Sequence, residues 1–330
     1  MDTVDQEVLK QLSNWIDEGK RCYLATITRT FSSAPRPVGS LMALTADDLQ
    51  VGSLSGGCVE EELCSKLRSV DEKISPTTYK FGIDNEESAR LGLPCGGQME
   101  VLVEQIIDIK RPHYQKHIDD ILLNIENHQC ISRNVSLPKG EIHLAASTPE
   151  RRLSNCITLS ENSFSHVLGP AFRLIIIGAN QVSQYLAEFA IALNYRVLIC
   201  DPRPEAIRSL SLTNVEIFQQ MPDDFIIDQK PDKQCAIVTV THDPKIDDLA
   251  LIEALDSDAF YVGAMGSKRT SKARYDRLMN MSLVDLTKQQ LDALYAPVGL
   301  SIGSKTPPEI ALSIMAELTR LRRDFGVSFN

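Results

Sequence analysis

Two cysteines in this sequence stand beside paired glycines, a combination that can do chemistry. Cys58 follows Gly56 and Gly57 in "VGSLSGGCVEEEL", and Cys95 precedes Gly96 and Gly97 in "LGLPCGGQMEVLVE". Paired glycines carry no side chains, so their backbone N–H groups can face an anion. A cysteine that opens a helix gains from the helix dipole, which favours its thiolate. Glu60, Glu61 and Glu62 follow at once and oppose that effect. A soft-ligand or sulfur-carrying role therefore suits Cys58 better than acyl chemistry. The plain alternative is that both cysteines fill tight turns. Arg36, in "APRPVG", is either the cationic partner for a phosphate or a surface arginine between two prolines.

A second set of candidates lies in the carboxyl half. The stretch "FRLIIIGANQVSQYLAEFAIALNYRVLICDPRPE" reads strand, glycine turn, helix, strand, acid. Asp201 ends the second strand 23 residues after Gly178, close to the spacing at which a Rossmann acid meets a ribose hydroxyl. The turn itself, Gly178-Ala179-Asn180-Gln181-Val182-Ser183, keeps only the first of three expected glycines. The second would let the backbone approach a pyrophosphate and the third would let helix and strand pack closely. Asn180 and Ser183 place side chains at both positions, so NAD and NADP should bind poorly.

Further strand-like runs, "NVEIF", "CAIVTVTHD" and "AFYVGAMGS", are each followed by a helix-like segment. Loops leaving the carboxyl ends of such strands gather along one edge. That edge should carry His242, as a base, a cofactor contact or a hydrogen-bonded structural residue. It should also carry Lys268 and Arg269 at a helix start, where amides and cations converge on an anion. The loop "APVGLSIGSK" adds glycine nearby, and "TPPE" reads as a helix start with Thr306, Pro307 and Glu309 in capping positions.

The elements that must position these residues divide the chain in three. Residues 1–105 read as a small α/β domain: an amphipathic helix ending near Gly19, strands "CYLATIT", "SLMALT" and "LQVGSL", a helix from Cys58 with Val59, Leu63 and Leu67 on one stripe, then "TTYKFGI" and "QMEVLVE". Residues 106–170 lose definition and read as a connector with one helix, "HYQKHIDDILLNIEN". His113 and His117 in that helix lack a third ligand at matching spacing, which favours a solvated or capping role. Residues 171–330 read as a Rossmann-like, doubly wound parallel sheet. The fold class is thus α/β in both domains.

Composition sets the limits. The 330 residues, 43% hydrophobic, are enough for two cores. Lys plus Arg total 34 against 44 Asp plus Glu, a net charge of −10, which argues against nucleic-acid or anionic-membrane partners. The acidic start "MDTVDQEVLK" is unlike a signal peptide, and no apolar run is long enough for a membrane span, so a cytoplasmic location is expected. Eight cysteines without a C-x-x-C pair fit a reducing compartment, and Cys22, Cys200 and Cys235 read as small core residues.

Taken in serial order, "SAPRPVGSLMAL", "VGSLSGGCVEEEL", "CGGQMEVLVE", "LIIIGANQVSQYLAEFA", "VTHD", "YVGAMGSKRT" and "APVGLSIGSKTPPEIALSI" resemble the xanthine dehydrogenase accessory factor family (XdhC/CoxI type). The resemblance runs from about residue 20 to the end, except for the connector. It implies a non-catalytic maturation factor, a homodimer, that binds the molybdenum cofactor (molybdopterin) and protects it. Such a factor helps to deliver the cofactor, sulfurated, to a xanthine dehydrogenase-like molybdenum hydroxylase, with a cysteine desulfurase as a further partner. On this resemblance Cys58 and Cys95 would contact the metal or hold a persulfide, and the glycine amides and Arg36 would take the pterin phosphate. Gly178, Asp201, His242, Lys268 and Arg269 would add cofactor contacts. The family's Rossmann turn usually reads Gly-x-Gly-His, and this chain departs from it at Asn180 and Gln181. Two other classes fit the residues: an NAD(P)-dependent oxidoreductase with His242 as proton donor, and an acidic adaptor that holds no cofactor.

Overall fold

In "CYLATITRTF" apolar side chains serve both faces of a sheet, and the segment forms β1 (Cys22–Phe31). The computed structural model describes residues 3–31, 36–68, 75–82, 87, 97–106, 111–137, 139–154, 156–281 and 286–324. They fall into two units, Met1–Pro170 and Ala171–Asn330. In the first, β1 is the middle strand of an antiparallel sheet ordered β3-β2-β1-β5-β4. Its other strands are β2 (Leu41–Thr45), β3 (Gln50–Gly52), β4 (Thr77–Phe81) and β5 (Gln98–Ile106). Successive side chains point to opposite faces. Leu24, Leu102 and Ile106 therefore join a core with Leu9 and Leu12 of α1 (Thr3–Asp17). Ala25, Ile27, Val101 and Val103 join another with Val59, Leu63 and Leu67 of α2 (Cys58–Arg68). Helix α1 stops where Gly19 takes a φ of 76° and its N–H returns to the Ile16 carbonyl.

The stretch that reads as a connector is folded into this first unit. It supplies α3 (Arg111–Glu126), α4 (Pro149–Ser154) and an antiparallel sheet ordered β7-β6-β9-β8. Those strands are β6 (Cys130–Ser136), β7 (Ile142–Ser147), β8 (Ile157–Leu159) and β9 (Ser163–Leu168). Tyr114, Ile118 and Ile121 of α3 and Phe164 of β9 share one core with α1. Short strands broken by Ser, Pro and Gly turns give little periodicity, which is why the pattern fades there. A buried ion pair links the two sheets: Arg133 of β6 donates twice to Glu104 of β5, both at 2.7 Å, and the Tyr114 hydroxyl donates to the same carboxylate at 3.1 Å. His117 ties α3 to β7, with Nε2 2.8 Å from the Ile142 carbonyl and Nδ1 2.9 Å from the His113 carbonyl. Among the described residues no group of three or more potential ligands could hold a metal.

In the second unit the stretch "FRLIII", apolar except for Arg173, forms β10 (Phe172–Ile177), buried at every residue as a parallel strand covered on both faces must be. With β11 (Tyr195–Cys200), β12 (Glu216–Phe218), β13 (Cys235–Thr239) and β14 (Tyr261–Ala264) it makes a parallel sheet ordered β12-β11-β10-β13-β14. Intervening helices are α5 (Gln181–Ala192), α6 (Pro204–Arg208), α7 (Pro222–Gln229), α8 (Pro244–Asp256), α9 (Lys268–Met279), α10 (Lys288–Asp292) and α11 (Pro307–Asp324). The strand order reverses between β10 and β13, the switch point at which doubly wound sheets usually take ligands. Cys22, Cys200 and Cys235 are fully buried in these cores. Burial pushes the Cys200 and Cys235 thiols up to about 12. No helix among the described residues is long and apolar enough to cross a membrane.

Candidate functional site

After β3 the chain turns through Ser53 to Gly57 and enters α2 at Cys58. Glu60 occupies the third helical position, where a carboxylate can reach back to the turn. One oxygen, Oε1, accepts hydrogen bonds from Ser53 Oγ (2.7 Å) and from the amides of Leu54, Ser55 and Gly56 (2.8 Å each). The other accepts from Ser55 Oγ (2.7 Å) and the Gly57 amide (3.0 Å). Burial by itself would raise the Glu60 pKa, but the bonds from Ser55, Gly56 and Ser53 outweigh it and hold the carboxyl at about 2.

This arrangement corrects the expected role of Gly56 and Gly57. Their amides already donate to Glu60 and do not present a cradle to an outside phosphate. What the turn offers a ligand is space and a thiol. Side chains added at either glycine would meet nothing within 4 Å, and Cys58 is exposed. The sequence signal for Glu60 is its position three residues after the capping glycine, which a reading of three glutamates as one block of charge passes over. Glu62, by contrast, pairs along the helix with Lys66 at 3.0 Å. Cys95 and Gly96 lie outside the described residues, and Gly97 directly precedes β5. Arg36 is engaged with α1, its Nη2 3.5 Å from Asp5 Oδ1, and that oxygen also accepts the Leu41 amide at 3.0 Å. This links Arg36 and the start of β2 to the helix.

The Rossmann turn is closed from within. Gly178 has a φ of 113°, and a Cβ there would lie 2.8 Å from Thr241 Cγ2 and 2.9 Å from the Thr241 backbone, so only glycine permits the approach. Asn180 caps α5: its Oδ1 accepts the Val182 amide at 2.8 Å and the Ser183 amide at 3.1 Å. Its Nδ2 donates to the Val240 carbonyl at 2.6 Å, bridging the switch point, and its own amide donates to Ser183 Oγ at 2.7 Å. At the head of α5 the amides of Ala179, Asn180, Val182 and Ser183 are therefore engaged. The ribose-binding role expected of Asp201 also fails on geometry. It is fully buried, with Oδ1 accepting the Arg203 amide and Nε (2.9 Å each) and Oδ2 accepting the Ala179 amide and Arg203 Nη2 (2.8 Å each). Burial would raise its pKa, but Arg203 and the Ala179 amide hold it below the usual range.

His242 and Lys268 do come together. Both line a cleft of about 690 Å³ beyond the carboxyl ends of β13 and β14, closed on the far side by the loop at 297–304. Arg269, one residue on, is exposed and does not line it. In the cleft wall the buried Asp247 accepts Thr241 Oγ1 at 2.7 Å and Arg274 Nη2 at 2.9 Å. Burial leads in raising the Asp247 pKa, against the lowering effect of Thr241 and Arg274. Sequence reading misses this pair because Asp247 and Arg274 sit inside helical runs with no motif around them.

An exposed cysteine on a glycine turn in an antiparallel α/β unit, joined in one chain to a Rossmann-type unit with a sealed nucleotide turn, defines a recognisable two-domain class. The XdhC and CoxI family matches residues 15–82, and the XdhC Rossmann domain matches residues 174–318. The chain thus carries a segment of the XdhC and CoxI type followed by an XdhC Rossmann domain. It is 26% identical to a protein of Bacillus subtilis (strain 168) named as a probable xanthine dehydrogenase subunit, covering 94% of this chain and 96% of that one. It is 23% identical to "Molybdenum cofactor insertion chaperone PaoD" of Escherichia coli (strain K12), covering 92% and 84%. A crystal structure described as a xanthine dehydrogenase from Bacillus halodurans matches with a TM-score of 0.72 at 27% identity, over 97% of this chain and 96% of that one.

Two outcomes follow from these turns. Glu60→Ala should destabilise the protein by about 2 kcal/mol at neutral pH, because buried donors lose their acceptor. The folded-state pKa is depressed, from 4.5 to about 2, so the stabilisation is complete above 4.5 and disappears as pH falls toward 2. Urea unfolding of both proteins at several pH values should show the gap closing through that window, and a gap independent of pH would contradict the assignment. For the second turn, calorimetric titration of the full chain should give NAD and NADP dissociation constants weaker than about 100 µM, without preference between them. Low-micromolar affinity for either would show that the sealed turn opens.

Proposed function

We propose that this chain is a molybdenum cofactor accessory protein, which holds the cofactor as cargo, protects it, and assists its sulfuration and insertion into a molybdenum hydroxylase of the xanthine dehydrogenase type. The observation that carries the reading is the exposed Cys58 thiol at the head of α2, on a turn that Glu60 holds in one shape and that leaves open space around it. A thiolate is a soft ligand suited to molybdenum and can also carry a persulfide, and the names of the relatives support the cargo. Cys95 is proposed as a second sulfur. A cysteine desulfurase is proposed as sulfur source, the cytoplasm as location and a homodimer as the working form. The oxidoreductase alternative loses support from the engaged amides of α5 and the saturated Asp201 carboxylate. His242 and Lys268 are proposed as further contacts. The phosphate of the cargo needs donors other than the Gly56 and Gly57 amides.

Cys58→Ala should lower the amount of pterin that copurifies with the protein, measured by absorbance and by fluorescence of the released pterin. Unfolding free energy should change by about 1 kcal/mol or less, since the side chain is exposed and the volume change small. Undiminished pterin in both Cys58→Ala and the Cys58→Ala/Cys95→Ala double variant would remove the thiol from the site. Light scattering of the purified chain at micromolar concentration should return the mass of two copies, and a monomer mass would count against the dimer.

A further inference from the structure

We propose that Arg29, Phe31 and Glu100 form a recognition site for an aminopyrimidinone ring, the chemistry shared by pterins and guanine. The proposal rests on the cargo reading above only for the choice of a pterin as occupant. It starts from an irregularity in β1. Ile27 lies opposite Val101 of β5, and the next paired residue, Arg29, lies opposite Glu100, so Thr28 is an extra residue in the strand. Its Oγ1 donates to the Glu100 carbonyl at 3.1 Å and holds this bulge in place.

The extra residue changes which way the end of the strand faces. Ala25 and Ile27 join the core that Val101 and Val103 form on the α2 side. Strict alternation would send Arg29 and Phe31 to that side as well. The bulge turns them to the other face, opposite Glu100 and Gln98. There Arg29 is exposed, and its guanidinium lies 5.8 Å from the centre of the Phe31 ring. With that cation over it, Phe31 is still 45% exposed. Bulges beside binding sites re-aim side chains in this way.

Three kinds of contact meet on this face. Phe31 offers a ring on which a flat heterocycle stacks, and Arg29 adds a cation to the stack and a partner for an anionic tail. Glu100 is directly across from Arg29 and diagonal to Phe31, within reach of a heterocycle lying on that ring. Its Oε1 is 3.2 Å from Lys80 Nζ, and among the described residues its Oε2 has no partner. A carboxylate accepts two parallel N–H bonds, and an aminopyrimidinone presents its amino group and a ring N–H side by side. The carboxyl ends of β1 and β3 and the amino end of β5 lie at one end of the sheet. From that end of β3 the chain turns to Cys58, so the ring site and the thiol share one end of the unit. The amides of the cysteine turn are taken by Glu60, and the contacts that select the ring come from β1 and β5.

The test is calorimetry on the full chain without cofactor. The probes are a molybdenum-free pterin, guanosine monophosphate, and lumazine, which has a carbonyl in place of the pterin amino group. The pterin should bind with quenched emission, the signature of stacking. Phe31→Ala should weaken it by about tenfold, the ~1.4 kcal/mol of one stacked ring. Glu100→Gln should weaken it by a similar factor and abolish the preference for pterin over lumazine, a preference that a merely structural role would not touch. Tyr185→Ala removes an exposed ring of the second unit and should leave binding within about twofold. Guanosine monophosphate bound more tightly than the pterin, with the same dependence on Phe31 and Glu100, would support the site and make guanine its occupant. No heat with pterin or guanosine monophosphate at millimolar concentration, equal losses in Phe31→Ala and Tyr185→Ala, or lumazine bound as tightly as pterin would overturn it. Copurified pterin that falls in Cys58→Ala but holds level in Phe31→Ala would also overturn it, and would leave the cargo reading standing.

Discussion

Six hydrogen bonds converge on one carboxylate, Glu60, and the shape of the cysteine turn depends on them. A run of backbone N–H groups pointing inward has to be satisfied, and an ionised carboxylate is the strongest acceptor a protein can supply. Supplying it from within fixes the turn before any ligand arrives. Cys58 therefore has a defined position without help from cargo, and Gly56 and Gly57 serve by leaving space rather than by donating.

The same constraint explains the carboxyl-terminal unit. Its first βα turn has the usual demand for anionic or polar acceptors, and Asn180, Ser183 and Asp201 meet it internally. Once Asn180 also reaches Val240, the crevice at the switch point is bridged. The sheet retains its topology while the open space moves sideways, to the region bounded by α9 and the loop at 297–304. A Rossmann topology is thus separable from a Rossmann site, because the first depends on buried apolar strands and the second on a few unengaged amides.

Much of this is legible from residue types alone. The apolar run at 174–177 and the apolar residues on both faces of β1 identify their elements because burial on two faces leaves that pattern. The loss of glycine at Asn180 and Ser183 marks the turn where these side chains take up backbone amides. The region after residue 106 is not legible, since its strands are short and its core is completed by α1 from the far end of the unit. At the candidate sites, sequence singles out Cys58, His242 and Lys268 but cannot foresee which donors are already engaged. Glu60 and Arg203 are neighbours in sequence of the groups they saturate, yet saturation depends on rotamers and turn geometry. Cys95 and Gly96 lie outside the described residues.

The Arg133–Glu104 pair has a further consequence for how such sequences can drift. The guanidinium is 5% exposed and the carboxylate 0%, and they belong to different sheets. Losing one member leaves a buried charge uncompensated at a cost of about 3–5 kcal/mol, whereas exchanging both for apolar residues of similar volume can be neutral. Substitution at either position alone is therefore blocked, and a joint replacement is open. Positions 104 and 133 should vary together across related chains, so the seam between the two sheets would be visible as a correlated pair even where neither residue is retained.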